Sequence, residues 1–196
     1  MSRTRTTAAL VALILCTGCG ETTVTPEPGL DPAVAAREGV LPTAIGKGPE
    51  FVPAARTVGA CEPGEIQGAH RAHLELFGRR RAVVIPAGIG LGAPLRREHH
   101  RIVDAACRAG ARTLEPTGVI DFDRTDLTLG DLFATWGEPL TRTRMADFRG
   151  RVSAFVGGRR VKGDPARIPL RDGAQIVLQV GGYVPPHRTF LFPPRG

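Results

Sequence analysis

Apolar and polar positions change rhythm most clearly near the middle of this chain, and the change locates its best-specified segment. In Thr117-Gly118-Val119-Ile120-Asp121-Phe122-Asp123 they alternate. Ile120 and Phe122 therefore fall on one face of a strand, with Asp121 and Asp123 on the other. Leu129, Leu132, Phe133 and Trp136 then recur at helical spacing. Thr128 is placed to cap this helix, and Asp131 three residues later completes a capping box. Leu127 and Leu132 occupy the hydrophobic-staple positions, and Gly137 ends the helix. Trp136, the only tryptophan, reads as core filler.

Shorter alternations flank this unit. His73-Leu74-Glu75-Leu76-Phe77 predicts a strand, Gly78-Arg79 a turn and Ala82-Val83-Val84-Ile85 the returning strand. In Val152–Val156, Val152, Ala154 and Val156 share one face, with Ser153 and Phe155 on the other. Gly157-Gly158 supplies a primed turn into Arg159-Arg160-Val161. Residues 166–170 and 175–180 are expected to be strands joined by an Arg171-Asp172-Gly173 turn. Both hairpins carry Arg-Arg beside glycine and lead to an Ile-Pro pair, which an internal duplication and convergent turn chemistry explain equally well. Leu95, His99, Ile102, Val103 and Ala106 predict a short amphipathic helix within 95–109. On a helix, His99 and His100 point about 100° apart and do not chelate one ion together; they are expected to be solvated. The proline-rich end, 185–194, is expected to lie extended across the sheet; the alternative is a docking peptide. These elements make an α+β fold, a hairpin-rich, mostly antiparallel sheet packed on one or two short helices.

The N-terminal third lacks this patterning. Arg3 and Arg5 precede a short apolar run, Ala8–Leu15, too short to span a bilayer as a mature helix. Thr17-Gly18-Cys19 then resembles a bacterial lipobox, with Cys16 where such motifs usually have Leu. This reading makes 1–18 a lipoprotein signal peptide and Cys19 the lipidated N-terminus. Residues 19–60, punctuated by Pro26, Pro28, Pro32, Pro42 and Pro53, form an extended tether, and 61–196 a single domain. The alternative is an ordinary signal peptide cut near Gly18 or Gly20. The expected location is the extracytoplasmic face of the cell membrane, reached through a lipid anchor.

Charge adds little. The formal net charge is +7, and loss of the leader with Arg3 and Arg5 leaves +5. Lys47 and Lys162 are the only lysines, so the basic residues are almost all arginine, a bias suited to a GC-rich genome. No basic strip interleaved with aromatics argues for nucleic acid; the expected partners are the membrane and an envelope protein or polymer.

Of four cysteines, Cys16 leaves with the leader and Cys19 takes lipid. Cys61 and Cys107 remain, a pair that an oxidising compartment favours as a disulfide; the alternative is two thiolates on a soft metal. Gly88-Ile89-Gly90-Leu91-Gly92 follows a strand but lacks the phosphate-loop lysine and the dinucleotide spacing, and reads as a tight loop. The chain has no Gly-x-Ser-x-Gly and no His-Glu-x-x-His, and no Cys-x-x-Cys beyond the Cys16–Cys19 segment of the leader.

Ala72-His73-Leu74, Ile85-Pro86-Ala87-Gly88-Ile89-Gly90, Cys107, Thr117-Gly118-Val119-Ile120, Thr128-Leu129-Gly130 and Trp136-Gly137 together resemble an uncharacterised family of exported bacterial proteins. That pattern carries clustered histidines suited to copper or zinc. Here Arg71, Arg112, Leu114 and Asp121 stand at histidine positions and Glu115 at an aspartate position, while His73 remains. The resemblance thus implies a retained scaffold with a lost metal site. No cofactor is expected, and His73, Glu115 and Asp121 are weak candidates for a rebuilt metal site. His70 and Asp123 complete the residues able to join them. A fainter similarity, in the order of hairpin, helix and later strands, is to β-grasp, ubiquitin-like modules. The expected function is non-catalytic binding or envelope interaction. Transition-metal binding at a rebuilt His/carboxylate site is the alternative, and an envelope-polymer hydrolase using Asp121 and Asp123 a third reading.

Overall fold

In the computed structural model, which describes residues 61–195, the chain order is β1 (His70–Gly78), β2 (Arg81–Val83), β3 (Leu91–Glu98), β4 (Arg101–Arg108), β5 (Ala111–Arg112) and β6 (Val119–Phe122), then α1 (Leu129–Trp136), then β7 (Arg144–Met145), β8 (Phe148–Arg149), β9 (Val152–Val156), β10 (Arg159–Val161) and β11 (Gln175–Val180). The main sheet runs β10-β9-β11-β1-β6-β5, and β2 also pairs with β1. β1 and β11 are parallel; every other pairing is antiparallel. The α+β class with a mostly antiparallel sheet is as expected, with one α-helix among the described residues.

Alternation decides which sheet face is which. Ala72, Leu74 and Leu76 of β1, Ile120 and Phe122 of β6, and Ile176, Leu178 and Val180 of β11 are buried with Leu129, Leu132, Phe133 and Trp136 of α1 in one cluster. The helix starts where its sequence says. Thr128 accepts from the Asp131 N–H, the Asp131 carboxylate accepts from the Thr128 N–H, and Gly137 closes the last turn at φ 83°. Both predicted hairpins form. The first turns on Arg79 and Arg80, at φ 52° and 66°, one residue later than expected.

Two expectations fail. The segment expected to be a helix over 95–109 is the β3–β4 hairpin, turning at His99 and His100, which are exposed. Of the residues expected to form the helical stripe only Ile102 is buried, while His99 and Ala106 are exposed, so no helical face is covered. Strand pairing satisfies the backbone instead: Ile102 N–H donates to Leu114 O at 2.9 Å, and Glu62 and Arg108 exchange bonds of 2.9 and 2.8 Å. Residues 166–170 form no strand either. Pro165–Arg167 is a 3-10 turn capped by Asp164, and Pro169 makes only an isolated bridge to Thr128. Prolines at both ends of the segment supply no ladder N–H.

The last residues cross the sheet as expected. From Gly181 to Arg195 the chain has no regular secondary structure, and it lies as a strap over the face opposite α1. The Gln179 amide donates to Val184 O and accepts from Val184 N–H at 3.0 Å. His187 bonds Glu75 at 2.8 Å, Phe190 stacks on His73, and Pro193 O accepts from Arg71 at 2.8 Å.

Candidate functional site

The candidate residues lie on this strap-covered face. Asp121 on β6 is level with Arg71 on β1 and with Arg112 on β5, so Arg-Asp-Arg forms a row across three strands. Asp121 is buried and accepts from Gly68 N–H at 3.1 Å. Only glycine permits that approach, since a Cβ on Gly68 would lie 2.4 Å from Phe122 N. Burial pushes the Asp121 carboxyl above its ordinary range, against the Gly68 hydrogen bond and the charges of Arg112, Arg101 and Arg71.

Arg112 is wholly buried. Its guanidinium donates to both oxygens of Asp123, at 2.7 and 3.1 Å, and to the Ile66 and Ala109 carbonyls. Arg108 meets the same carboxylate at 2.5 Å. Partial burial alone would raise Asp123; the hydrogen bonds and charge of Arg112, with Arg108, outweigh it and hold the carboxyl below the usual range. A fork-to-carboxylate pair of this kind is directional and ties β5 to the segment after β6.

His73 sits apart on β1, level with Gln175 of β11, 4% exposed. Phe190 of the strap lies parallel over its ring, centroids 3.6 Å apart. Nδ1 is 2.6 Å from the Gln175 side chain and Nε2 is 2.9 Å from Thr117 O. Burial lowers the His73 pKa, against both hydrogen bonds and the charge of Glu75, which favours neutral imidazole. A neutral ring donates once, and a carbonyl only accepts, so Nε2 carries the proton. Turning the Gln175 amide lets its nitrogen, otherwise buried without a partner, donate to Nδ1 and uses every group in the pair. Neither ring nitrogen is then open to a metal.

The remaining candidates disperse. Glu115 pairs with Arg101 at 2.6 Å. His70 packs against the Phe122 ring and lies 4.0 Å from Asp172. No group of three or more His, Cys, Asp or Glu residues is arranged to hold a metal among the described residues. The glycine-rich loop spends its donors internally: Gly88 N–H on Thr113 O, Ile89 N–H on the Thr113 hydroxyl, and Leu91 N–H on Gly88 O. Cys61 and Cys107 are at bonding distance as a disulfide, S–S 1.99 Å and Cα–Cα 5.4 Å. Cys19, the signal peptide and the tether lie outside the described residues.

Arg71, Leu114, Glu115 and Asp121, four of the five positions that depart from the histidine-bearing pattern, nevertheless line one cleft together with Gln67, Arg101, Val119, Pro193 and Arg195; the cleft holds ≈ 20 Å³. Sequence reasoning missed Arg101 and Arg195, and nothing local marks them: one comes from β4, then expected to be helical, and the other from the end of the strap. Comparison with protein-family models, with curated proteins and with solved structures found no match to this chain. No helix of the described residues is long and apolar enough to cross a membrane.

Proposed function

We propose that this protein is a lipid-anchored, extracytoplasmic binding module that performs no catalysis, built on a scaffold whose metal chemistry has been replaced. One observation carries the reading. Arg71 and Arg112 stand where the resembled pattern has imidazoles, and each guanidinium is built into the fold: Arg71 on Pro193 O, Arg112 on Asp123. A fixed positive charge at a ligand position repels a cation, and the one retained imidazole has both nitrogens engaged. The lipobox around Cys19 and the proline-rich tether support anchoring at the outer face of the membrane. The strand order β2-β1-β11-β9-β10, with β1 and β11 parallel and the helix between the two hairpins, supports a β-grasp-like architecture, which by itself assigns no activity.

Two measurements on full-length protein test this reading. In a bacterium that processes lipoproteins, wild type is expected to incorporate labelled palmitate and sediment with membranes, and Cys19→Ala to do neither. Elemental analysis and titration with copper and zinc are expected to give no stoichiometric binding. Tight binding lost in His73→Ala would replace this reading with that of a metal-handling lipoprotein.

A further inference from the structure

The cleft beneath the strap is more basic than its acids account for. Arg71, Arg101 and Arg195 line it with Glu115 and Asp121. Arg101 is matched by Glu115 at 2.6 Å. The Arg71 and Arg195 guanidiniums make no such pair with a carboxylate among the described residues; the Asp172 carboxylate meets Arg71 only through its backbone N–H, at 2.8 Å. Each is instead oriented through one nitrogen by a backbone carbonyl: Arg71 Nη1 on Pro193 O at 2.8 Å and Arg195 Nη2 on Ala69 O at 2.7 Å. The Phe192 ring lies 5.3 Å from the Arg71 guanidinium carbon and braces it further. Two planar forks are thus held at the wall of one opening with donors to spare.

We propose that this cleft, between β1, β4, β6 and the C-terminal strap, is a carboxylate-binding site that admits the carboxylate of a ligand while the rest of the molecule stays outside. Size and charge select that chemistry. A space of ≈ 20 Å³ holds about one or two water-sized groups, which suits a planar two-oxygen anion better than a bulkier tetrahedral one. Three guanidiniums against two carboxyls leave at least one positive charge. A monoanion neutralises it; a dianion overshoots and meets Asp121 and Glu115. Arginine pairs with carboxylate through two parallel hydrogen bonds, so forks already fixed in orientation lose little freedom on binding. Free small carboxylic acids and the C-terminus of a peptide present the same group. The proposal rests on the binding-module reading and supplies its ligand class.

The test is ligand-observed NMR on the full-length chain with acetate, the peptide N-acetyl-Ala-Ala and inorganic phosphate as probes. Acetate and the peptide are expected to bind saturably and compete with each other, tighter binding by the peptide marking a chain terminus as the source and equal binding a free acid. Phosphate is expected to be at least about tenfold weaker. Arg195→Gln, at the exposed chain end, is expected to weaken acetate about tenfold, the size of one charged hydrogen bond. Arg71→Lys keeps the charge but loses the fork and is expected to weaken it similarly, while Arg124→Gln, paired with Asp126 away from the cleft, leaves it unchanged. Unsaturable binding, phosphate as strong as acetate, or unaltered binding in Arg195→Gln and Arg71→Lys would overturn the site. Those results leave the metal titration untouched, so this proposal and the functional reading fail separately.

Discussion

Toward α1 the main sheet presents Ala72, Leu74, Leu76, Ile120, Phe122, Ile176 and Leu178, all buried. Toward the strap the sheet presents Arg71, His73, Asp121, Arg112, Gln175 and Gln179, and most of these are equally buried. Burial is therefore not what separates the faces. The first is held by area removed from water, which needs no particular partner. The second is held by named pairs: Arg112 with Asp123, His73 with Gln175 and Thr117, Gln179 with Val184. One face tolerates a change that keeps shape; the other demands that both members of a pair change together.

The largest effects should display that difference. Phe133→Ala removes a fully buried ring from the helix face and is expected to cost about 3–5 kcal/mol in denaturant unfolding. Arg112→Ala leaves Asp123 without its main partner and is expected to cost about 3–5 kcal/mol as well. The costs match in size but not in remedy. Arg112→Met combined with Asp123→Asn should recover a large part of the second loss, because the wholly buried charge is gone and only the partly exposed Arg108 loses its partner, whereas Asp123→Asn should do nothing for Phe133→Ala. A double variant as unstable as Arg112→Ala alone would mean that the pair is held for its packing and not its charge.

The disulfide sharpens the comparison by acting outside both faces. It joins the start of the described chain to β4, across 46 residues. Cys107→Ala is expected to cost about 2–4 kcal/mol of global stability. Locally, hydrogen exchange should rise first in the β3–β4 hairpin, while amides of β1, β6 and β11 stay protected. Equal loss of protection everywhere would show that the hairpin and the sheet unfold as one unit.

The helix face was also the legible one, for the same physical reason. Period-two alternation at Ile120 and Phe122, then a period near four from Leu129 to Trp136, is a property of neighbouring residues, and so is the Thr128–Asp131 box. The strap-covered face depends on partners far apart: Arg71 and Pro193, Arg112 and Ile66, Glu75 and His187. No local pattern announces such pairs. The β3–β4 hairpin misled for a related reason. Its few apolar residues happen to fall near helical spacing, while what makes it a hairpin is the pairing of β3 with β4, with β4 tied further to Glu62 and Leu114. At the candidate site, single positions were readable and their company was not. Asp121 was legible as a polar-face acid, but Arg101 and Arg195 join its cleft only through the fold.

Thr128→Ala is expected to cost about 1 kcal/mol, the usual worth of an N-cap, read as a shift in unfolding midpoint. Because the cap serves the helix alone, the carboxylate cleft should bind acetate as wild type does. A loss of acetate binding in Thr128→Ala would mean that the two faces are coupled through the sheet, against the separation drawn here.

The pH-dependent effects are electrostatic, and their signs differ group by group. Asp121 has its folded pKa raised by burial. Its protonated form is favoured in the fold, so that stability is fully present below the ordinary aspartate range and is lost as pH rises through the folded pKa. Asp123 runs the other way. Its folded pKa is lowered by Arg112 and Arg108, so its contribution is present above the ordinary range and lost as pH falls through the folded value. His73, lowered by burial, likewise stabilises above its ordinary value of 6.5 and loses that contribution as acid drives it toward its folded pKa. Asp121→Asn should therefore raise the melting temperature at neutral pH and converge with wild type in acid. Asp123→Asn should lower it at neutral pH, with the deficit shrinking in acid, and Phe133→Ala should show a deficit nearly independent of pH. Melting curves for the three variants across this range separate the mechanisms. If Asp121→Asn were destabilising at neutral pH, attraction to Arg71, Arg101 and Arg112 would outweigh the burial penalty, and Asp121 would be another member of the paired framework and not an acid held there at a cost.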